Sequence, residues 1–301
     1  MTQKNKKEAG ENTLYFVCPV CGGPLARRGG ACVCPRGHSY DMASEGYLYL
    51  LPPNQKHAKI PGDSRQMVAA RRRFLETGNY ELFSDALNRL ALEAVRGKKE
   101  PVVLDAGCGE GYYTARLADS LEKAGVHARI AGLDISKSAV RAAAKRYGGL
   151  EFAVGSNFHI PALSGSADCL LSVFSPLVPE EFFRVLRPGG TMILAVPGPR
   201  HLFGLKEILY EEPYENEYKD TQYEGFDFGK RVDVGGKIAI DGNDTICDLF
   251  AMTPYYWKTP EAGSERLKQV ERLETEIGFG FLVYRKRQTK PDEIQDRMEK
   301  G

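Results

Sequence analysis

The chain has 301 residues, 42% of them hydrophobic, and no run approaches the roughly eighteen apolar residues of a membrane span, so a full buried core is expected and a transmembrane helix is not. Seven cysteines suit a metal or thiol use in a reducing compartment, and the N-terminal lysines have no apolar segment behind them, so a cytoplasmic protein without a secretion signal is expected. The formal net charge of +1 hides an asymmetry: residues 1–73 hold 12 Lys and Arg against 5 Asp and Glu, or +7, which leaves −6 for the remainder.

A basic front end suits a polyanion-binding appendage, although a solvated face with a chance bias accounts for the charge equally well. The first motif lies in it. Cys18-Pro-Val-Cys21 is followed after twelve residues by Cys34 and after three more by His38. This C-x2-C-x12-C-x3-H spacing predicts one tetrahedral zinc held by three thiolates and an imidazole. Gly22-Gly23 and Pro35-Arg36-Gly37 supply the tight knuckles such a site needs. Cys32 stands outside the knuckle and reads as a spare thiol. With all four positions filled by protein, the site would be structural or recognition-bearing and not hydrolytic. Tyr40, Tyr47 and Tyr49, with Lys56 and Lys59 close behind, suit unpaired bases as well as they suit a small core.

Residues 51–55 (Leu-Pro-Pro-Asn-Gln) end this unit, and Ile60-Pro61-Gly62-Asp63-Ser64 forms a further turn in which Asp63 or Ser64 can cap a helix. Met67, Val68, Phe74 and Leu75 predict a helix from Arg65 that Gly78 closes, and Leu82, Phe83, Leu87, Leu90 and Leu92 predict another from about Glu81 to Val95. The divisions expected are a zinc-binding ribbon over 1–50, a linker and helical brace over 51–100, a catalytic domain over 101–286, and a charged tail over 287–301.

From Val102 apolar strands alternate with periodic helices, which predicts an α/β fold with a parallel sheet. Strands are expected at 102–106, 128–134, 151–155, 168–174 and 191–196, with late strands at about 247–252 and 279–285. Asp168 begins the fourth of these, and Ser172, Phe174, Ser175 and Pro176 follow it toward the crevice. The first strand runs through Asp105 into Gly107, Gly109, Glu110 and Gly111, a G-x-G-x-G loop. A nicotinamide fingerprint would need glycine where Tyr112 stands, so a pyrophosphate cradle is not expected. Asp134 ends the second strand, where a carboxylate can accept both hydroxyls of a ribose; Ser156 and Asn157, after the third, are placed to meet an adenine. The acidic, aromatic stretch 210–233 reads as a dimer contact, a lid or an insertion.

Asp105–Gly111, Asp134 and the turn Leu186-Arg187-Pro188-Gly189-Gly190 resemble the Rossmann-like class I methyltransferases that use S-adenosylmethionine. Together with the zinc knuckle, Arg72-Arg73-Phe74-Leu75, Gly78, Tyr80, Pro197-Gly198-Pro199-Arg200-His201-Leu202 and Met252-Thr253-Pro254-Tyr255, the chain resembles the bacterial 23S rRNA guanine-N1-methyltransferases, which include tylosin-resistance enzymes. The resemblance runs from about residue 15 to residue 285. It implies a seven-stranded, mostly parallel sheet with a small N-terminal zinc ribbon, S-adenosylmethionine and Zn2+ as cofactors, and a homodimer that cradles a 23S rRNA hairpin. Cys18, Cys21, Cys34 and His38 fall on the family's zinc positions, Glu110 and Gly111 on its cofactor loop, and Tyr80 and His201 on two further cofactor contacts. Phe174 suits stacking on a flipped base or a place in the core, and Arg71, Arg72 and Arg73 are expected to support RNA binding if they face the RNA and not the core. No residue is assigned to remove the guanine N1 proton. The alternatives are another methyl acceptor (a small molecule, another RNA, DNA or protein) or a non-catalytic zinc-ribbon RNA-binding protein.

Overall fold

A computed structural model describes residues 13–53, 62–217 and 221–288. Lys56, Lys59 and most of the charged tail lie outside them. Four short strands, β1 (Thr13–Val17), β2 (Pro24–Arg28), β3 (Ala31–Val33) and β4 (Ser39–Asp41), form an antiparallel sheet in sequence order. It buries few large apolar side chains of its own, chiefly Tyr15, Phe16 and Leu25. So small a core does not hold by itself. These residues instead join a cluster with Leu104, Leu170, Leu186 and Met192 of the larger sheet.

The larger sheet has the order β11-β12-β10-β9-β6-β7-β8-β5, with β5 (Leu48–Tyr49), β6 (Val102–Ala106), β7 (Arg129–Asp134), β8 (Glu151–Val154), β9 (Ala167–Val173), β10 (Leu186–Pro197), β11 (Phe226–Asp241) and β12 (Arg272–Lys286). Pairing is parallel from β10 through β5 and antiparallel between β10, β12 and β11. Six of the seven expected strands are there; β11 stands in place of the strand expected at 247–252, and β5 adds an eighth from the N-terminal unit. The chain leaves β6 for β7 and β8 on one side, then returns to β9 on the other. That reversal opens a crevice at the carboxyl ends of these strands, where α/β sheets bind ligands.

Two helices precede the sheet, α1 (Arg65–Glu76) and α2 (Glu81–Val95). Ser64 caps the first, its hydroxyl oxygen accepting from the Met67 amide at 3.3 Å. Helices α3 (Tyr112–Lys123), α4 (Lys137–Arg146), α5 (Pro179–Val185), α6 (Phe203–Leu209), α7 (Asn243–Ala251) and α8 (Glu261–Leu267) follow. No helix among the described residues is long and apolar enough to cross a membrane.

Two expectations need correction. The strand expected at 247–252 is the second half of α7, and Ile246, Leu249 and Phe250 are buried at helical spacing. Its place in the sheet is taken by β11, which starts inside the stretch read as a lid or insertion. β11 is an edge strand with only Phe226 and Ile240 buried; Phe226, Phe228, Val232, Val234, Ile238 and Ile240 alternate with other residues, but Lys230 and Gly236 break the pattern. Asp168 is structural, pairing with Lys98 at 3.0 Å and with Arg187 at 2.5 Å while accepting from the Val102 amide at 2.9 Å.

Candidate functional site

The glycine loop leaves β6 at the crevice and is tied to β7 by amides of Gly107 and Cys108, which donate to the Leu133 carbonyl at 2.7 and 3.0 Å. All three of its glycines have positive φ but serve different ends. A Cβ on Gly107 would lie 2.6 Å from Ser175 Oγ, and one on Gly111 would lie 2.9 Å from Ala143 Cβ, so both positions allow close packing. A Cβ on Gly109 would meet only Arg71 Nη1, at 3.8 Å, because it would enter an open cavity of about 790 Å³.

Asp105, Gly107, Gly109, Glu110, Asp134, Ser156, Asn157, Tyr80 and His201 all line that cavity. Gly111 does not; it caps α3 just behind it. Asp134 accepts from the Gly109 amide at 2.9 Å and the Ser136 amide at 2.8 Å, which fixes its carboxylate across the loop. Asp105 is 1% exposed, and one oxygen accepts from Thr114 at 2.6 Å while the other has no partner. Burial pushes its carboxyl up to about 6, against the Thr114 bond, and burial also raises Asp134 and Glu110. Asn157 donates to the carbonyls of Pro176 at 3.1 Å and Ala106 at 3.3 Å, and Ser175 donates to Ala106 at 2.6 Å. These bonds brace the turn after β9 against the end of β6.

His201 accepts at Nδ1 from the Gly278 amide at 3.3 Å. Nε2 therefore carries the proton and donates to the Tyr80 hydroxyl at 3.4 Å, which leaves the phenol proton free for an acceptor. Burial, reinforced by the Lys206 charge, lowers His201 to about 3, so the ring is neutral. Four carboxylates, Asp63, Asp105, Glu110 and Asp134, surround this half of the cavity, with Arg71 beside them. The unpaired Asp105 oxygen and the excess of acid fit a ligand bearing a sulfonium and an ammonium, and would repel a pyrophosphate.

Arg71 corrects an expectation. It pairs with Asp63, donates to the Met252 carbonyl at 3.4 Å and lines the cavity. Arg72 pairs with Glu76 and Arg73 with Asp248. Arg71 is thus engaged within the protein, whereas Arg72 and Arg73 keep 48% and 61% of their side chains exposed; the helix periodicity that buried Met67 and Phe74 did not reveal the place of Arg71. Arg71→Leu is expected to weaken S-adenosylhomocysteine binding roughly tenfold through loss of the cavity's cation and of its hold on Asp63 and Met252. Calorimetry checks this; unchanged affinity would show that Arg71 plays no part in the cofactor half.

The second site lies in the ribbon. Sγ atoms of Cys18, Cys21 and Cys34 and a ring nitrogen of His38 all lie within 4.8 Å of one another. Cys21 Sγ is 3.6 Å from Cys34 Sγ, and His38 Nδ1 is 3.6 Å from Cys18 Sγ and 3.3 Å from Cys34 Sγ. A zinc tetrahedron with Zn–S of about 2.3 Å and Zn–N of about 2.0 Å has edges of roughly 3.5 to 3.8 Å, so the donor set fits the ion. Cys32 is buried outside the cluster.

The sheet order, the acid-lined glycine loop and the Cys3His ribbon define a methyltransferase of the S-adenosylmethionine-dependent class carrying a zinc-binding unit. Residues 16–59 match the family model described as RlmA, N-terminal, and residues 97–237 match a methyltransferase domain. The chain is 35% identical over 279 residues to the 23S rRNA (guanine(748)-N(1))-methyltransferase of Streptomyces fradiae, covering 90% of this chain and 96% of that one. It is also similar to two proteins provisionally named 23S rRNA (guanine-N(1)-)-methyltransferases. One, from Micromonospora griseorubida, is 38% identical over 65% of this chain and 70% of its own. The other, from Bacillus subtilis, is 29% identical over 89% and 96%. The chain belongs to the 23S rRNA guanine-N1-methyltransferase family.

Sequence reasoning missed the far side of the cavity. Tyr214, Asn216, Thr253, Tyr255, Trp257 and Lys258 line it. Lys206, fully buried on α6, donates at 2.8 Å to both the Tyr214 carbonyl and Asn216 Oδ1 and lies 4.2 Å from the Tyr214 ring centroid, so it pins that wall. A lysine in a short amphipathic helix gave no sign of this.

Proposed function

We propose that this protein transfers a methyl group from S-adenosylmethionine to N1 of a guanine in a hairpin loop of 23S rRNA. The observation that carries the reading is that one cavity joins an acid-lined glycine loop to a mouth edged by exposed aromatic rings. The first half would hold the cofactor through Tyr80, Asp105, Gly107, Gly109, Glu110, Asp134, Ser156, Asn157 and His201, with Gly111 supporting the loop from behind. In that arrangement Asp134 addresses the ribose, Ser156 and Asn157 lie at the adenine, and the free oxygen of Asp105 meets a cationic group. Cys18, Cys21, Cys34 and His38 would hold zinc and give the ribbon a fixed shape from which to meet RNA.

The bound cofactor supplies a methyl group already activated on sulfur, so the protein's task is to hold the acceptor nitrogen in line with it. Guanine N1 lies on the pairing edge and bears a proton; the base must be unpaired or flipped, and the proton leaves as the N–C bond forms. His201 is unsuited to take that proton, because its low basicity and its Nε2–H toward Tyr80 leave it a spacer and donor. Phe174 is 48% exposed and lines the cavity, with its ring stacked on Phe83 at 5.6 Å and on His201 at 6.4 Å, so its exposed part would meet a base that enters. Its φ of +50° is strain for a bulky residue, of the kind held at binding sites.

Primer extension tests the product, because a methyl on the pairing edge stops reverse transcriptase. Deletion of the gene should remove one stop in 23S rRNA, and the purified protein should restore it on stripped rRNA. If every stop survives deletion and no rRNA transcript is methylated in vitro, the acceptor is wrong. A homodimer that cradles the hairpin is the arrangement the resemblance suggests, and light scattering reports it.

A further inference from the structure

Among the described residues, six aromatic side chains are strongly exposed: Phe158, Phe174, Tyr214, Phe228, Tyr256 and Trp257. Four of them, Phe158, Phe174, Tyr214 and Trp257, line the one cavity, although they come from four separate segments of chain. Scattered apolar exposure is ordinary; convergence on one rim is not. Trp257 is the chain's sole tryptophan, is 71% exposed, and lies in a 3-10 turn (Pro254–Trp257) next to Lys258, which also lines the cavity. The turn is anchored from behind: Tyr256 packs edge-on to Trp257 at 5.0 Å and against Phe250 of α7 at 5.5 Å, and the Lys258 amide donates to Tyr255 at 2.9 Å. Phe158, 70% exposed, follows Ser156 and Asn157 on the adenine side.

From this placement we infer that the rim is a stacking surface for the unpaired nucleotides that flank the target guanine, with Trp257 the platform for a neighbouring base. An inward-facing Phe174 then serves the target base while Trp257 holds the next one outside the cavity. Rings with an open face and a nearby cation bind any base without reading its edge, which suits holding a loop open more than choosing a sequence. A paired helix offers no free base faces, so the surface discriminates loop from stem. The inference rests on the RNA reading above.

Because the chain has a single tryptophan, its fluorescence reports this contact directly. A 23S rRNA hairpin containing the substrate loop should quench it saturably, and a fully paired RNA of equal length should not. Trp257→Ala should bind the hairpin roughly tenfold more weakly and S-adenosylhomocysteine with unchanged affinity, and Trp257→Phe should recover most of the loss. If the wild-type protein binds and methylates the hairpin while the fluorescence stays constant and Trp257→Ala binds as tightly, the platform assignment falls and the function stands. If the hairpin is neither bound nor methylated, the RNA reading itself fails. A Trp257→Ala protein whose only change is weaker self-association would make the rim a contact between copies and overturn the inference.

Discussion

Gly109→Val is expected to lose S-adenosylmethionine affinity by on the order of 100-fold, about 2.7 kcal/mol, while remaining folded. The added Cβ meets no protein atom closer than Arg71 Nη1 at 3.8 Å, so the side chain projects into the cavity and not into the core. A non-glycine residue at φ +56° costs about 1–2 kcal/mol, and β-branching adds to that, which a domain with this large a core survives as a drop of several degrees in melting temperature. Gly111→Val supplies the contrast. Its Cβ would meet Ala143 at 2.9 Å, Tyr147 at 3.0 Å and Phe152 at 3.3 Å, where the loop packs on α4 and β8, so stability should fall by more than in the Gly109 variant. Calorimetry against S-adenosylhomocysteine and thermal melting, run on both proteins, separate the effects. Wild-type affinity in a folded Gly109→Val protein would remove the loop from the cofactor site.

What was readable before the structure was chemistry written in short spacings. Zinc donors two to twelve residues apart and a glycine loop flanked by Asp105 and Asp134 declare themselves because neighbours in sequence meet through one turn. The helix expected from Glu81 to Val95 has those bounds, since its apolar face is continuous and Gly97 follows it. Edge strand β11 was lost although Phe226, Phe228, Val232, Val234, Ile238 and Ile240 alternate, because Lys230 and Gly229, Gly235 and Gly236 break the pattern inside an acidic, aromatic stretch, and α7 was misread because a short, mostly apolar segment does not distinguish helix from strand. The direction of Arg71 depended on which face of α1 met the loop, and the aromatic rim on segments brought together only by the tertiary fold. Neither has a local signal.

Cys21→Ser is expected to abolish stoichiometric zinc and to melt the ribbon first. Serine offers oxygen in place of a soft thiolate, and a structural zinc site that loses one of four donors forfeits much of the folding energy that the metal contributes. The damage should not stop at the small sheet. Phe16, Leu25 and Cys32 share a hydrophobic cluster with Leu104, Leu170 and Leu186, so a frayed ribbon uncovers one face of the central strands and lowers the melting temperature of the whole protein. The cavity is spared in the first instance, because its lining begins at Gly62; S-adenosylhomocysteine should bind with nearly its original affinity below the melting range, while RNA affinity falls. Cys32→Ala is the control, a fully buried thiol outside the donor cluster, which should cost some packing and keep one zinc per chain. Metal analysis by mass spectrometry, with melting curves for both variants, decides the matter. Zinc retained at full stoichiometry in Cys21→Ser with an unchanged melt would dismiss the cluster as a metal centre, and zinc lost as completely from Cys32→Ala would show that the ligand set had been drawn wrongly.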